Sequence, residues 1–378
     1  MNPKETLEFF ETLQDGMVSD LGEWVKMESP TSNKESVDRL SQAFGAALED
    51  IGMHLEWKED AVRGNHLVAR WGSHFGHLLL IGHFDTVWEL GTLAQMPWQT
   101  NGETAGGPGV FDMKAGLVIG LYALRLIRER RQDRYPVSFL ITSDEEEGSE
   151  TSRQLIERDA RSARAAFILE PAGPNNGLKT KRRGVGRYTL TAHGKAAHAG
   201  VEPEKGINAI EELSHQIIEA HSWNAQRKGI SVNAGIIHGG TRTNVIPAQA
   251  EVKIDVRCDT REDVSWLQAR FTGLSARNPQ AILTIEGGIE RPPLERSEKV
   301  LSLYRQASEI ASEMEYPLSE FWTGGGSDGN LTAALGVPTL DGLGAEGGGA
   351  HAANEHILVS SLPRRASLLY HLILKQFA

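Results

Sequence analysis

Short runs of unbroken apolar residues that stop abruptly at histidine or carboxylate constrain this chain more than any other feature. Leu78-Leu79-Leu80-Ile81 passes through Gly82 directly into His83 and Asp85. Val137 to Thr142 runs into Asp144, Glu145, Glu146 and Glu147, and Ala165 to Leu169 runs into Glu170. Runs this short and this apolar read as strands buried on both faces. Between them, Val37, Leu40, Phe44 and Leu48 carry helical spacing, as do Met113 to Ile127 and Thr151 to Arg158. Strands alternating with helices predict an α/β domain with a parallel sheet covered by helices on both faces.

At 378 residues the chain exceeds one ordinary core, so two domains are expected. The texture changes near Gly184. Tyr188 to Ala192 reads as a strand, Ile207 to Ile218 as a helix, and Ile230 to Ile237 and Ala250 to Val256 as strands. A helix over Glu262 to Ala276 and a strand over Ala281 to Glu286 follow. That order is the split βαβ arrangement of a ferredoxin-like α+β domain. After Arg291-Pro292-Pro293 the first texture returns, with helices over Ser297 to Met314, Asp328 to Leu335 and Ser360 to Lys375. The expected organisation is a discontinuous catalytic domain, 1–183 and 292–378, interrupted by an inserted domain over 184–291.

A formal charge of −11 argues against nucleic acid as a partner, and Lys181-Arg182-Arg183 is too small a basic run to change that. The single cysteine, Cys258, excludes a disulfide framework and a thiolate metal site. No stretch is apolar enough to span a membrane, and the first residues carry no signal-peptide core, so a cytoplasmic enzyme is expected.

In a parallel α/β sheet the carboxyl ends of the strands share one edge, and ligands bind there. His83, the Glu145-Glu146 pair and Glu170 should therefore arrive together. Asp112 joins them at the end of a Gly-rich loop, just before a helix. Taken singly, each has an ordinary explanation. A histidine at a strand end is usually a polar cap, an Asp before a helix an N-cap, and a short acidic run a solvated face. Their repetition at successive strand ends favours a metal site. Imidazole and carboxylate without thiolate suit zinc or a similar divalent ion. Two histidines and three carboxylates suffice for two ions if one carboxylate bridges, and ions about 3.5–4 Å apart can activate a shared water and polarise a carbonyl.

The motifs resemble those of the M20 family of zinc metallopeptidases, most closely its glutamate carboxypeptidase branch. The matching stretches are Gly82-His83-Phe84-Asp85-Thr86-Val87, Gly107 to Gly116, Ser143 to Ser149, Glu170-Pro171, Gly194 to Gly200, Thr243 to Pro247, Gly325 to Asp328 and Gly349-Ala350-His351. They stand in family order over nearly the whole chain. The resemblance implies a zinc-exopeptidase-like catalytic domain with a mixed, mostly parallel sheet and two zinc ions, Co2+ or Mn2+ being the other candidates. His83 and Glu170 would complete one site, Glu146 and His351 the other, with Asp112 bridging and often followed by a cis peptide. Asp85 would hold the tautomer of His83 by accepting its other ring N–H, and Glu145 would be the general base. The inserted domain would serve as lid and dimerisation domain. His198 would reach a partner's active site in a homodimer and stabilise the oxyanion, with Asn244 supporting it. Arg257 and Arg291 stand near places where arginines of this branch bind substrate carboxylates; a salt bridge at the domain junction is the alternative for both.

The implied activity is cleavage of a C-terminal peptide or amide bond, releasing glutamate or a similar amino acid from peptide or N-acyl substrates. The alternatives are an N-acyl amino acid deacylase of the acetylornithine or succinyl-diaminopimelate type and, in another class, a non-catalytic metal-dependent binding protein. One departure from the pattern is the Ala352-Ala353 pair after His351, where relatives often carry polar residues; this leaves the preferred side chain open.

Overall fold

The fold is that of a computed structural model, which describes every residue but Gln132. The chain divides into two units. The larger holds Met1–Lys181, Arg296–Thr323 and Ser327–Ala378; the smaller holds Arg182–Glu295 and Gly324–Gly326.

The larger unit is organised by a six-stranded sheet in the order His54–Lys58, His66–Trp71, Val137–Thr142, His77–His83, Ala163–Ile168, Thr339–Leu340. The last four are mutually parallel, and the first two join antiparallel at one edge. Both faces are buried, and side chains alternate between them. Leu78, Leu80, Phe139, Ile141 and Phe167 belong to the main core, with Leu117 and Leu121 of the Ala115–Glu129 helix and Leu369 and Leu372 of the Ser361–Lys375 helix. Leu79, Ile81, Leu140 and Ile168 face the other way, against Ile156 and Ala160 of the Arg153–Ser162 helix and Leu331 of Asp328–Ala334.

The parallel register brings the strand ends level. His83 pairs with Thr142 and Ile81 with Ile168, so the residues that follow each strand emerge on one edge. Two glycines let other elements press against the segment that presents Glu170. A Cβ on Gly116 would lie 2.1 Å from the Leu169 carbonyl oxygen, and one on Gly344 would lie 2.4 Å from the same atom. No larger residue fits either place.

The smaller unit carries an antiparallel four-stranded sheet in the order Ile230–Gly239, Gln249–Cys258, Gly184–His193, Ile282–Arg291. Its helices, Ala209–Gln226 and Arg261–Thr272, place Leu213, Trp223, Leu267 and Phe271 in one core with Leu190, Val252 and Ile254. The strand-helix-strand-strand-helix-strand order is that expected from the residue pattern. Asn208 caps the first helix, accepting from the backbone of Ile210 and Glu211, and Thr260 caps the second through a capping box with Asp263. Arg182 donates to the carbonyls of Gly325 and Gly326, which ties that short return segment to this unit.

The sequence pattern did not reveal the His54–Lys58 and Leu178–Arg182 strands, because polar residues on short strands leave little periodicity to detect. Among the described residues, no helix is long and apolar enough to cross a membrane.

Leu80 is fully buried in the middle of the sheet, so Leu80→Ala is expected to destabilise the larger unit by about 3–5 kcal/mol. Leu358→Ala, at a side chain 41% exposed, is expected to cost about 0.5 kcal/mol or less. Urea unfolding followed by tryptophan fluorescence measures both, and equal losses would contradict this placement of the core.

Candidate metal centre

His83 ends its strand with its side chain buried, and its two ring nitrogens have different tasks. Nδ1 lies 2.9 Å from the backbone oxygen of Asp85 and 3.5 Å from that residue's carboxylate. Asp85 thus meets Nδ1 with its main-chain oxygen and, at longer range, with its carboxylate, and Nε2 is left facing the site. The carboxylate of Asp85 instead accepts from the backbone of Glu145 and Glu146, both at 3.2 Å, and from the Thr31 hydroxyl at 2.8 Å. It fastens the acidic loop to the His83 strand end.

That loop has a second anchor. Asp144, nearly inaccessible, accepts from Thr151 and Ser152 through both their backbone amides and their hydroxyls, at 2.6–3.2 Å. Glu145 to Glu147 then form one tight helical turn, with Glu145 buried and Glu147 paired to Arg63. Asp328 holds the same region from another side, accepting from Thr142 at 3.0 Å and from Ser149.

Asp112 sits where the chain departs from helical geometry, at φ −111° and ψ 90°, and the Asp112–Met113 peptide is cis. Its two oxygens diverge. Oδ1 lies 3.3 Å from Nε2 of His83, and Oδ2 lies 3.2 Å from Nε2 of His351. Glu170 adds a carboxylate oxygen 3.5 Å from His83, and Glu146 adds one 3.2 Å from His351. All five residues read from the sequence as ligands are therefore brought together, in two groups that share Asp112. His351 holds a left-handed backbone, φ 60°, which a non-glycine residue adopts only when its surroundings impose it. Its side chain is 49% exposed, so the site opens on the His351 side.

The donor set fits divalent cations. A tetrahedral ion with ligands at about 2.0–2.2 Å needs neighbouring donors about 3.3–3.6 Å apart, close to the spacings found here. Nε2 of His83, Oδ1 of Asp112 and Oε1 of Glu146 are buried without a hydrogen-bond partner, an arrangement that is costly unless a cation is there to meet them. The electrostatics agree. Burial alone would depress His83, but the facing carboxylates of Asp112, Asp85 and Glu170 hold it well above the usual imidazole value. His351, bonded to Asp112 and Glu146, is pushed up to about 10. Burial would raise Asp112, but the His351 and His83 imidazoles pull it far below the usual carboxylate range. Burial and the neighbouring Asp112 charge hold Glu146 up, against the pull of His351. Without an ion, protons on two imidazoles balance the crowded carboxylates.

The remaining predicted residues lie in the smaller unit. His198 is exposed, and its Nδ1 accepts from the backbone of Gly200 and Val201, both at 3.1 Å, which leaves the proton on Nε2. Asn244 accepts through its backbone oxygen from Ala199 at 3.0 Å. Arg257 pairs within its own strand. Its guanidinium makes two 2.9 Å bonds to Asp255, two residues earlier on the same strand face, so its planar fork is already engaged. Arg291 is buried at the end of its strand, its Cδ close against Gly326. Sequence reasoning missed Thr31 and Glu355. Isolated polar residues outside any periodic pattern carry no signal until their partners are known.

Residues 79–375 match the model of peptidase family M20/M25/M40. Carboxypeptidase G2 of Pseudomonas sp. (strain RS-16) is 30% identical over 370 residues, covering 96% of this chain and 89% of the relative. Succinyl-diaminopimelate desuccinylase 2 of Shewanella loihica is 26% identical, covering 93% of this chain and 98% of the relative. The Bacillus subtilis YXEP protein, a dinuclear metal binding peptidase, shares the fold with a TM-score of 0.69 at 18% identity, covering 97% of this chain and 98% of that one. A match that runs through both structural units, with a relative alike over almost its whole length, places the chain: it belongs to peptidase family M20/M25/M40.

Proposed function

We propose that this M20 metallohydrolase holds two divalent ions, zinc in the first place with Co2+ or Mn2+ as alternatives, and cleaves a C-terminal peptide or amide bond. The observation that carries the reading is the divergence of the Asp112 oxygens, one toward His83 and one toward His351. His83, Asp112 and Glu170 would hold one ion; Asp112, Glu146 and His351 would hold the other. Bound there, the ions would supply Lewis acidity toward a substrate carbonyl and an attacking water. Glu145, on the same helical turn as Glu146, takes the proton from that water and delivers it to the leaving amine. In the homodimer His198 would donate its Nε2–H to the oxyanion developing in the partner subunit's site, the tautomer being fixed by the two backbone bonds to Nδ1. The inserted unit acts as lid and dimerisation domain. The exposed Ile236 and Ile237 on its edge strand Ile230–Gly239 support a homodimer.

The preferred substrate is a peptide or N-acyl amino acid from which glutamate or a similar residue is released. Likeness to carboxypeptidase G2 over nearly the full chain supports this. Arg291 and Arg257 are both candidates for the substrate carboxylate, Arg257 exchanging its pairing with Asp255 for it. Deacylation of N-acyl amino acids is the second reading, supported by likeness to the desuccinylase. A panel of acyl-glutamates, succinyl-diaminopimelate and acetylornithine, compared by kcat/KM, separates the two. Preference for the last two substrates would reject the carboxypeptidase reading.

Glu145→Gln is expected to lower kcat by about 10²–10⁴ while leaving the metal content unchanged. Undiminished turnover would remove Glu145 from its role. His198→Ala is expected to lower kcat by about 10²–10³ with little change in KM, as loss of an oxyanion donor does. Without metal, the Asp112 and Glu146 carboxylates push His351 up to about 10, so it holds its proton near neutrality, and His83 is shifted in the same direction. Binding of Zn2+ to chelator-treated protein at about pH 7.5 should therefore release protons, and affinity should rise with pH until the histidines are deprotonated. Calorimetry in buffers of different ionisation enthalpy measures the release, and a buffer-independent enthalpy would exclude the proposed ligand set.

A further inference from the structure

Glu355 is 2% exposed, yet its carboxylate is surrounded by donors. Oε1 accepts from the backbone of Phe111 at 2.9 Å and of Asp112 at 3.0 Å. Oε2 accepts from the backbone of Gly109 at 2.9 Å and from the Trp88 indole at 2.7 Å. The three amides converge because Gly109 takes a left-handed conformation, φ 72°, ahead of the turn, so that the chain folds into an anion-binding concavity. Hydrogen bonds to an ionised, buried carboxylate are among the strong ones.

The placement of these partners matters more than their number. Trp88 lies on the loop that leaves His83. Gly109, Phe111 and Asp112 form the turn that presents the shared carboxylate. Glu355 itself closes the loop that holds His351, where Ala352 donates to Gly349 at 2.8 Å and Glu355 donates to Ala352 at 2.9 Å. One carboxylate thus ties together three segments, each bearing a ligand candidate. The direction in which Asp112 aims its two oxygens is set by its own backbone, and the backbone amide of Asp112 is bonded to Glu355.

We infer that Glu355 is a positioning residue of the metal centre. It holds no ion. It fixes the bridging carboxylate between the His83 and His351 imidazoles by clamping the 109–112 turn to the two histidine-bearing loops. The inference rests on the metal reading above and goes beyond it by assigning this residue.

Glu355→Gln keeps the side-chain shape but turns an amide N–H₂ toward backbone or indole N–H groups, so one side of the clamp becomes repulsive. The test uses chelator-treated wild type, Glu355→Gln and Trp88→Phe, titrated with Zn2+ in competition with a chromophoric chelator and with Co2+ followed by its visible absorption. Glu355→Gln is expected to remain folded by circular dichroism and to lose about 10–100-fold in affinity for at least one Zn2+, as loss of an outer partner of a ligand does. Its Co2+ spectrum should also differ from that of wild type, and kcat should fall more than KM rises. Wild-type affinity for both ions with an unchanged Co2+ spectrum would overturn the inference. Should Glu355→Gln fail to fold, Trp88→Phe decides, since it removes a single donor: weakened Zn2+ binding supports the clamp and unchanged binding rejects it. Failure of the wild type itself to bind two ions would sink the metal reading instead, which keeps the two failures distinguishable.

Discussion

Asp112, Glu146 and Glu170 bring carboxylates within a few ångströms of one another, beside two imidazoles, in a place where water reaches only one side. Like charges so close and so poorly hydrated cannot stand uncompensated. In the absence of a cation the carboxylates draw the imidazoles toward their protonated forms, which is why burial fails to depress His83 and why His351 is pushed up to about 10. A pair of divalent ions meets the same demand with better geometry, because the donors already stand near the separation that a tetrahedral ion requires. The rest of the larger unit can be understood as the means of holding that charge in place.

The holding is done by a different set of acids. Asp85 grips the Glu145 and Glu146 amides, Asp144 grips Thr151 and Ser152, Asp328 grips Thr142 and Ser149, and Glu355 grips the 109–112 turn. Each is buried and each satisfies backbone or hydroxyl donors that loops would otherwise leave unpaired. Candidate ligands and fasteners thus have the same chemistry and differ in what faces them: the first present oxygens to imidazoles across an open gap, and the second close on N–H and O–H groups. This division explains how irregular loops at a strand edge keep a defined shape.

The strand ends were legible because burial on both faces forces an unbroken apolar run, and the first polar residues after such a run must lie at the sheet edge. His83, Glu146 and Glu170 could be read in this way, and Asp112 from the Gly-rich loop before its helix. His351 was recognised by likeness to a motif, since the loop around it carries no apolar periodicity. Two contacts could not be read in advance: the His83 ring meets the main-chain oxygen of Asp85 more closely than its carboxylate, and the Arg257 guanidinium pairs with Asp255. A sequence names the groups available to a residue but not which neighbour reaches them first.

The residue pattern alone determined the alternation of strands and helices, the interruption by a second βαββαβ unit and the types of donor delivered to the sheet edge. These follow from solvent exclusion, which acts on each segment according to its own composition and period. Only the folded chain decided that Asp112 splits its oxygens between two histidines, that His83 is oriented by a backbone carbonyl, and that Glu355 joins three loops far apart in sequence. Such contacts are set by distances and directions across the structure, and no local pattern encodes them.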